Sequence, residues 1–121
     1  MDFQDTILCD LAAATNLATI ENTGWSCSNR LPLTDICSTY SYTWSGITCA
    51  NNEVVTINLY SYSFTGTLPT SLGQLTSLTS LMIMYSKLYG TLPSSLGGLS
   101  KVVYLELNGN KLTGSIPSSL Q

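Results

Sequence analysis

Histidine is absent from this chain, and charge of either sign is scarce: Lys and Arg number four, Asp and Glu seven, together 9% of the residues. Soluble domains usually carry about a quarter charged residues. Without histidine the commonest general base near neutral pH is missing, and the carboxylates do not pair beside any nucleophile. We therefore expect no catalytic residue and no enzyme. Neither histidine nor a C-x-x-C pair is there to hold zinc, so no metal site and no cofactor is expected. Four basic residues in a chain of net charge −3 argue against nucleic acid as a partner. No apolar run approaches the length of a membrane span. No Asn-x-Ser/Thr sequon occurs. The opening Met1-Asp-Phe-Gln-Asp5 is acidic, not basic and then apolar as a secretory leader would be, so the natural precursor is expected to begin elsewhere.

Serine and threonine take the place of the missing charge, which makes the surface hydroxylated. The four cysteines, Cys9, Cys27, Cys37 and Cys49, all lie in the first half, and five of the seven acids (Asp2, Asp5, Asp10, Glu21, Asp35) keep them company. An even cysteine count confined to one end reads as a disulfide staple formed in an oxidising compartment. Of three possible connectivities, nearness in sequence favours Cys9–Cys27 and Cys37–Cys49.

Beyond Asn52 the chain repeats itself. Gly66-Thr-Leu-Pro69, Gly90-Thr-Leu-Pro93 and Gly114-Ser-Ile-Pro117 recur every 24 residues. Apolar anchors Phe64, Leu88 and Leu112 precede each glycine, Leu72, Leu96 and Leu120 follow, and the pairs Ile57/Leu59, Leu81/Ile83 and Leu105/Leu107 keep the same step. A fixed period of this kind marks a solenoid, in which stacked coils share a core that no single coil can bury. Strands are expected over Val54–Leu59, with Val55, Ile57 and Leu59 inward, and around Ser80–Ile83 and Tyr104–Leu107. The glycines serve turns, and the prolines pre-set the first position of a short helical turn. Ahead of the repeats, Asp5 to about Ala18 reads as an amphipathic helix, with Ile7, Leu8, Leu11, Ala12 and Thr15 on one stripe. A turn region around Trp25 follows, and then an irregular stretch that leads into Trp44-Ser-Gly-Ile-Thr-Cys49.

With those residues in view, the chain resembles the plant-type leucine-rich repeat family. The unit L-t-G-x-I-P of that family is matched best by Leu112-Thr-Gly-Ser-Ile-Pro117. The helix, Trp25 and Trp44-Ser-Gly-Ile-Thr-Cys49 are similar to its N-terminal cap. The resemblance implies an α/β solenoid: a short leucine-rich repeat stack with a parallel sheet on the concave face and a disulfide-stapled helical cap. We assign residues 1–53 to the cap and 54–121 to three repeats of one structural domain, with no C-terminal cap. Only Asn110 keeps the asparagine that ties the coil turns in this family. Ser86 and Tyr62 stand in its place, so their turns need other partners.

The resemblance also implies that Asn58, Tyr60, Met82, Met84, Tyr85, Tyr104, Glu106 and Asn108 face the concave side. Aromatics and methionine at such positions point to a contact surface. The expected function is extracellular recognition, secreted or as the outer part of a receptor, of a protein, peptide or glycan. Two alternatives stand beside it. One is self-association through an uncapped last coil (Leu105, Leu107, Leu112, Ile116, Leu120). The other is ice binding through the hydroxyl rows Thr67/Thr91/Ser115 and Ser71/Ser95/Ser119. Lys87 and Lys111 are expected to stack one repeat apart beside the concave face.

Overall fold

The structure is a computed structural model, and it describes residues 3–15, 27–28, 31–32, 37, 45–60 and 65–115. The expected turn around Trp25, and Trp44, Tyr62, Phe64, Ile116, Pro117, Ser119 and Leu120, lie outside the described residues.

Helix α1 (Phe3–Ala14) buries Ile7, Leu8, Leu11 and Ala12, the stripe expected from the sequence. It starts ahead of Asp5 and stops short of Ala18, because Thr15 leaves the helix for an antiparallel bridge to Gly66. The Leu11 carbonyl accepts both the Thr15 N–H (3.1 Å) and the Thr15 hydroxyl (2.8 Å), which gives this buried hydroxyl its partner at the helix end. Two short strands, β1 (Cys27–Ser28) and β2 (Leu31–Pro32), pair antiparallel behind it. Cys9–Cys27 joins helix to hairpin, and Cys37–Cys49 reaches into the first strand of the main sheet, with Cα–Cα distances of 6.0 and 5.8 Å. Both pairings are those expected from the sequence.

The main sheet has the order β3-β4-β6-β8. Strand β3 (Ile47–Ala50) runs antiparallel to β4 (Glu53–Tyr60), while β6 (Ser80–Met84) and β8 (Tyr104–Glu106) continue it in parallel. Ile57, Leu81 and Leu105 occupy one register row and point inward, as the repeat requires. At the start of β4 the expected alternation fails: Val54, not Val55, is the buried residue. The cause is a bulge. Thr48 pairs with Thr56 and Cys49 with Val54, so Val55 is the extra residue, and the inward face shifts by one position.

A second sheet lies outside what the periodicity predicts. Strands β5 (Thr65–Gly66), β7 (Lys87–Thr91) and β9 (Lys111–Thr113) run parallel in that order, so the Gly-Thr-Leu-Pro segments are entered through strands as well as turns. Each coil then crosses back through a 3-10 turn, Thr70–Gln74 or Ser94–Gly98. Pro69 and Pro93 stand one residue ahead of these turns in extended backbone, not at their first position. Leu59, Leu72, Leu78, Leu81, Ile83, Leu88 and Leu96 are fully enclosed between the sheets and these turns.

Coil stacking is also written in side-chain hydrogen bonds. The Thr79 hydroxyl donates to the Val55 carbonyl, and that of Ser95 to the Thr70 carbonyl. Asp10 of α1 accepts from Ser71 at 2.8 Å, which moors the helix on the first 3-10 turn. Asn110 donates to the carbonyls of Ile83 (2.7 Å) and Leu107 (3.0 Å) and accepts from the Leu88 N–H (3.2 Å). One coil earlier, Ser86 is buried, and its hydroxyl has no hydrogen-bond partner among the described residues. Ser86→Asn would aim the same amide at the Leu59 and Ile83 carbonyls. Filling an unmet buried group is worth about 1–2 kcal/mol. Thermal denaturation of the variant should show a higher midpoint, and an unchanged or lower one would show that Ser86 is not the deficit it looks.

Candidate functional site

The outward face of the main sheet is built by alternation. Inward residues are taken by the core, so Thr56, Asn58 and Tyr60 on β4, Ser80, Met82 and Met84 on β6, and Tyr104 and Glu106 on β8 share the opposite side. Register sorts them into rows about 4.8 Å apart from strand to strand. One row runs Thr48, Thr56, Ser80, Tyr104, and the next Asn58, Met82, Glu106; Tyr60 pairs with Met84 in a third. Six of the eight residues expected on this face stand in these rows, while Tyr85 and Asn108 follow β6 and β8 outside the strands. Tyr60, Met82 and Tyr104, however, fall in three different rows and make no single line.

Exposure differs along the face. Tyr60 (57%), Tyr85 (52%) and Tyr104 (59%) are widely open, Met82 and Met84 are half-buried between flanking strands, and Asn58, Glu106 and Asn108 are exposed. At one corner the rings of Tyr60 and Tyr85 meet edge to face, with centroids 5.4 Å apart and planes at 74°. Aromatic pairs favour this geometry electrostatically.

Tyr85 holds that corner from a costly conformation. Its φ is +56°, in the left-handed region, and its N–H donates to the Asn108 carbonyl at 3.1 Å. Gly109 lies directly beneath: a Cβ there would collide with the Tyr85 ring and backbone. A non-glycine residue held at positive φ costs on the order of 1 kcal/mol or more and persists where its surroundings over-determine it. Gly109 and the row partners Thr48, Thr56 and Ser80 were missed from the sequence. Gly109 sits outside the repeated glycine register, and that break was the available signal.

Among the described residues no helix is long and apolar enough to cross a membrane, and no group of His, Cys, Asp and Glu could hold a metal ion. Beside Thr113 and Gly114, Leu92, Leu105, Leu107 and Leu112 line an apolar cleft of about 260 Å³.

This layout, leucine-filled coils with one strand per coil in a shared sheet behind a disulfide-bearing helical cap, defines a leucine-rich repeat solenoid. Comparison with known proteins agrees. A family model described as Leucine Rich Repeat matches residues 101–121. A chain of the BIR3–SERK2 complex from Arabidopsis thaliana is 30% identical with a TM-score of 0.76, over 98% of this chain and 62% of that one. The Arabidopsis receptor kinase HAESA, solved with the peptide hormone IDA and the co-receptor SERK1, gives 25% identity and a TM-score of 0.66 over 99% of this chain and 23% of the matched one. A plant ice-binding protein shares the fold, with 21% identity and a TM-score of 0.56 over 98% and 44%. No curated protein sequence matches. Residues 101–121 thus match a leucine-rich repeat, and the whole chain has the fold of plant leucine-rich repeat ectodomains, with a 24-residue period and a disulfide-bearing N-terminal cap. It spans about three fifths of the length of the BIR3–SERK2 chain it matches.

Proposed function

We propose that this protein is an extracellular recognition module, not an enzyme. Residues 1–53 are its cap and 54–121 its repeats, and a protein or peptide ligand lies across the outward face of the main sheet. The observation that carries the reading is the open Tyr60–Tyr85 corner, braced at positive φ over Gly109 and continued by Met84, Met82 and Tyr104. Tyrosine offers a flat apolar body with a polar tip, and methionine adapts to a partner's shape, which suits an extended polypeptide better than a hydrophilic glycan. Two disulfides and the likeness to receptor ectodomains support an extracellular setting. Two of the matched structures, that of BIR3 with SERK2 and that of HAESA with IDA and SERK1, are complexes with a protein or a peptide, which supports that class of ligand.

The test begins with a random 12-residue peptide library displayed on phage and panned against the whole chain. For a retained peptide, Tyr60→Ala and Met84→Ser are each expected to weaken binding by about 1–3 kcal/mol, the range of ordinary interface anchors, with little change in melting temperature. A lowered melting temperature with unchanged affinity would assign these side chains to sheet packing.

Self-association is a second reading, favoured by the apolar cleft lined by Leu92, Leu105, Leu107 and Leu112. Light scattering over a range of concentrations separates the two: the first reading needs only a monomer, the second a mass that grows with concentration. Ice binding finds less support. In the row Ser71/Ser95 both hydroxyls donate within the protein, to Asp10 and to the Thr70 carbonyl, and Lys87, Tyr89 and Lys111 interrupt the outward face of the second sheet.

A further inference from the structure

Sequence spacing alone stacks Lys87 on Lys111 beside the main sheet, and the structure places both elsewhere. They lie on the second sheet, and they are not register partners: Lys111 is opposite Tyr89, while Lys87 is opposite Thr65. The strands slide by two residues from coil to coil, so Tyr89 stands directly beside Lys111 and two residues along β7 from Lys87. Leu88 and Leu112 point into the core, so Lys87, Tyr89, Thr91, Lys111 and Thr113 all project from the opposite, outward side. Tyr89 is 53% exposed.

We infer that this outward face of β5-β7-β9 is a second binding surface and that its ligand is an anionic polysaccharide, a polyuronate, gripped by Lys87, Tyr89 and Lys111. Charge complementarity is the first ground. The whole chain has four basic residues and a net charge of −3, yet two of those four meet here, on strands that carry no acid. Among the described residues neither lysine is held in an ion pair.

Shape is the second ground. The face is a sheet surface, not a pocket, and the two lysine positions stand roughly 8 Å apart, from a strand spacing of 4.8 Å and a rise of 3.3 Å per residue. A single phosphate would need donors converging on one point. Separated cations fit a polymer that carries a carboxylate on successive units. The ring is the third ground. Tyr89 gives a flat apolar platform that adjoins both lysine positions, suited to the apolar face of a sugar ring, with threonine hydroxyls alongside. This surface is on the sheet opposite the proposed peptide face, and the inference does not depend on that reading.

The test uses the whole, oxidised chain and titration calorimetry with three probes: oligogalacturonate of defined length, dextran as its neutral counterpart, and poly-glutamate as an anionic polymer without sugar rings. Oligogalacturonate is expected to bind at low salt and weaken steeply towards 0.15 M, as exposed charges are screened, while dextran does not bind. The double variant Lys87→Gln/Lys111→Gln should lose at least tenfold in affinity. Tyr89→Ser should lose severalfold towards oligogalacturonate and leave poly-glutamate unchanged. Tyr60→Ala, on the other sheet, should alter neither. All these side chains are exposed, so melting temperatures should stay put and separate binding from folding. Unchanged affinity in the lysine variant overturns the inference, as does a loss confined to Tyr60→Ala. Equal binding of poly-glutamate, indifferent to Tyr89→Ser, also overturns it, because the patch would then read charge and not sugar.

Discussion

An alanine at position 66 is expected to destabilise the protein by about 3–5 kcal/mol, whereas the same substitution at position 90 costs only about 1–2 kcal/mol. The two glycines occupy equivalent places in successive repeats and both have positive φ, +124° and +82°. What differs is the neighbour. Gly66 is buried under the end of α1, where Thr15 bridges to it and the Thr67 N–H donates to the Ala14 carbonyl at 3.2 Å. A Cβ at 66 would run into that same carbonyl and the Thr15 backbone, so the cap would have to lift off the first coil. At Gly90 the added carbon meets only the Thr67 methyl, at an ordinary 3.4 Å. Chemical denaturation of the two variants side by side reads the difference. Equal losses would mean that the cap does not lean on Gly66.

Leu81→Ala is expected to cost about 3–5 kcal/mol, a large share of the 5–15 kcal/mol that holds an ordinary domain together. Leu81 is fully buried in the central strand of the main sheet, flanked by Ile57 and Leu105 in register. Both sheets and the 3-10 turns surround it, so the cavity has little freedom to collapse. Leu105→Ala, one coil on, should cost nearer 1 kcal/mol, since that side chain is only half-buried and loses less transfer energy. A Leu105→Ala loss as large as that of Leu81→Ala would show that the last coil is covered as fully as the central one.

The sequence by itself determined the solenoid. Leucines that recur every 24 residues must face one axis, because a coil that cannot bury them alone is stable only when stacked. It likewise determined that Met82 and Met84 project from the main sheet, since alternation along β6 leaves no other choice once Leu81 and Ile83 are inward. The disulfide pairing followed from nearness along the chain. Periodicity says nothing about what one coil meets when it touches something that does not repeat. Gly66 and Gly90 read alike until α1 lands on one of them. Val54 displaces Val55 from the core only because β3, which belongs to no repeat, forces a bulge against β4. Lys87 and Lys111 look like stacked neighbours at equal positions, and only the slide between parallel strands sets Tyr89, not Lys87, beside Lys111. Equal spacing along the chain fixes a residue's place within its own coil, but hydrogen-bond register between coils is set by twist and packing, which only the folded stack decides.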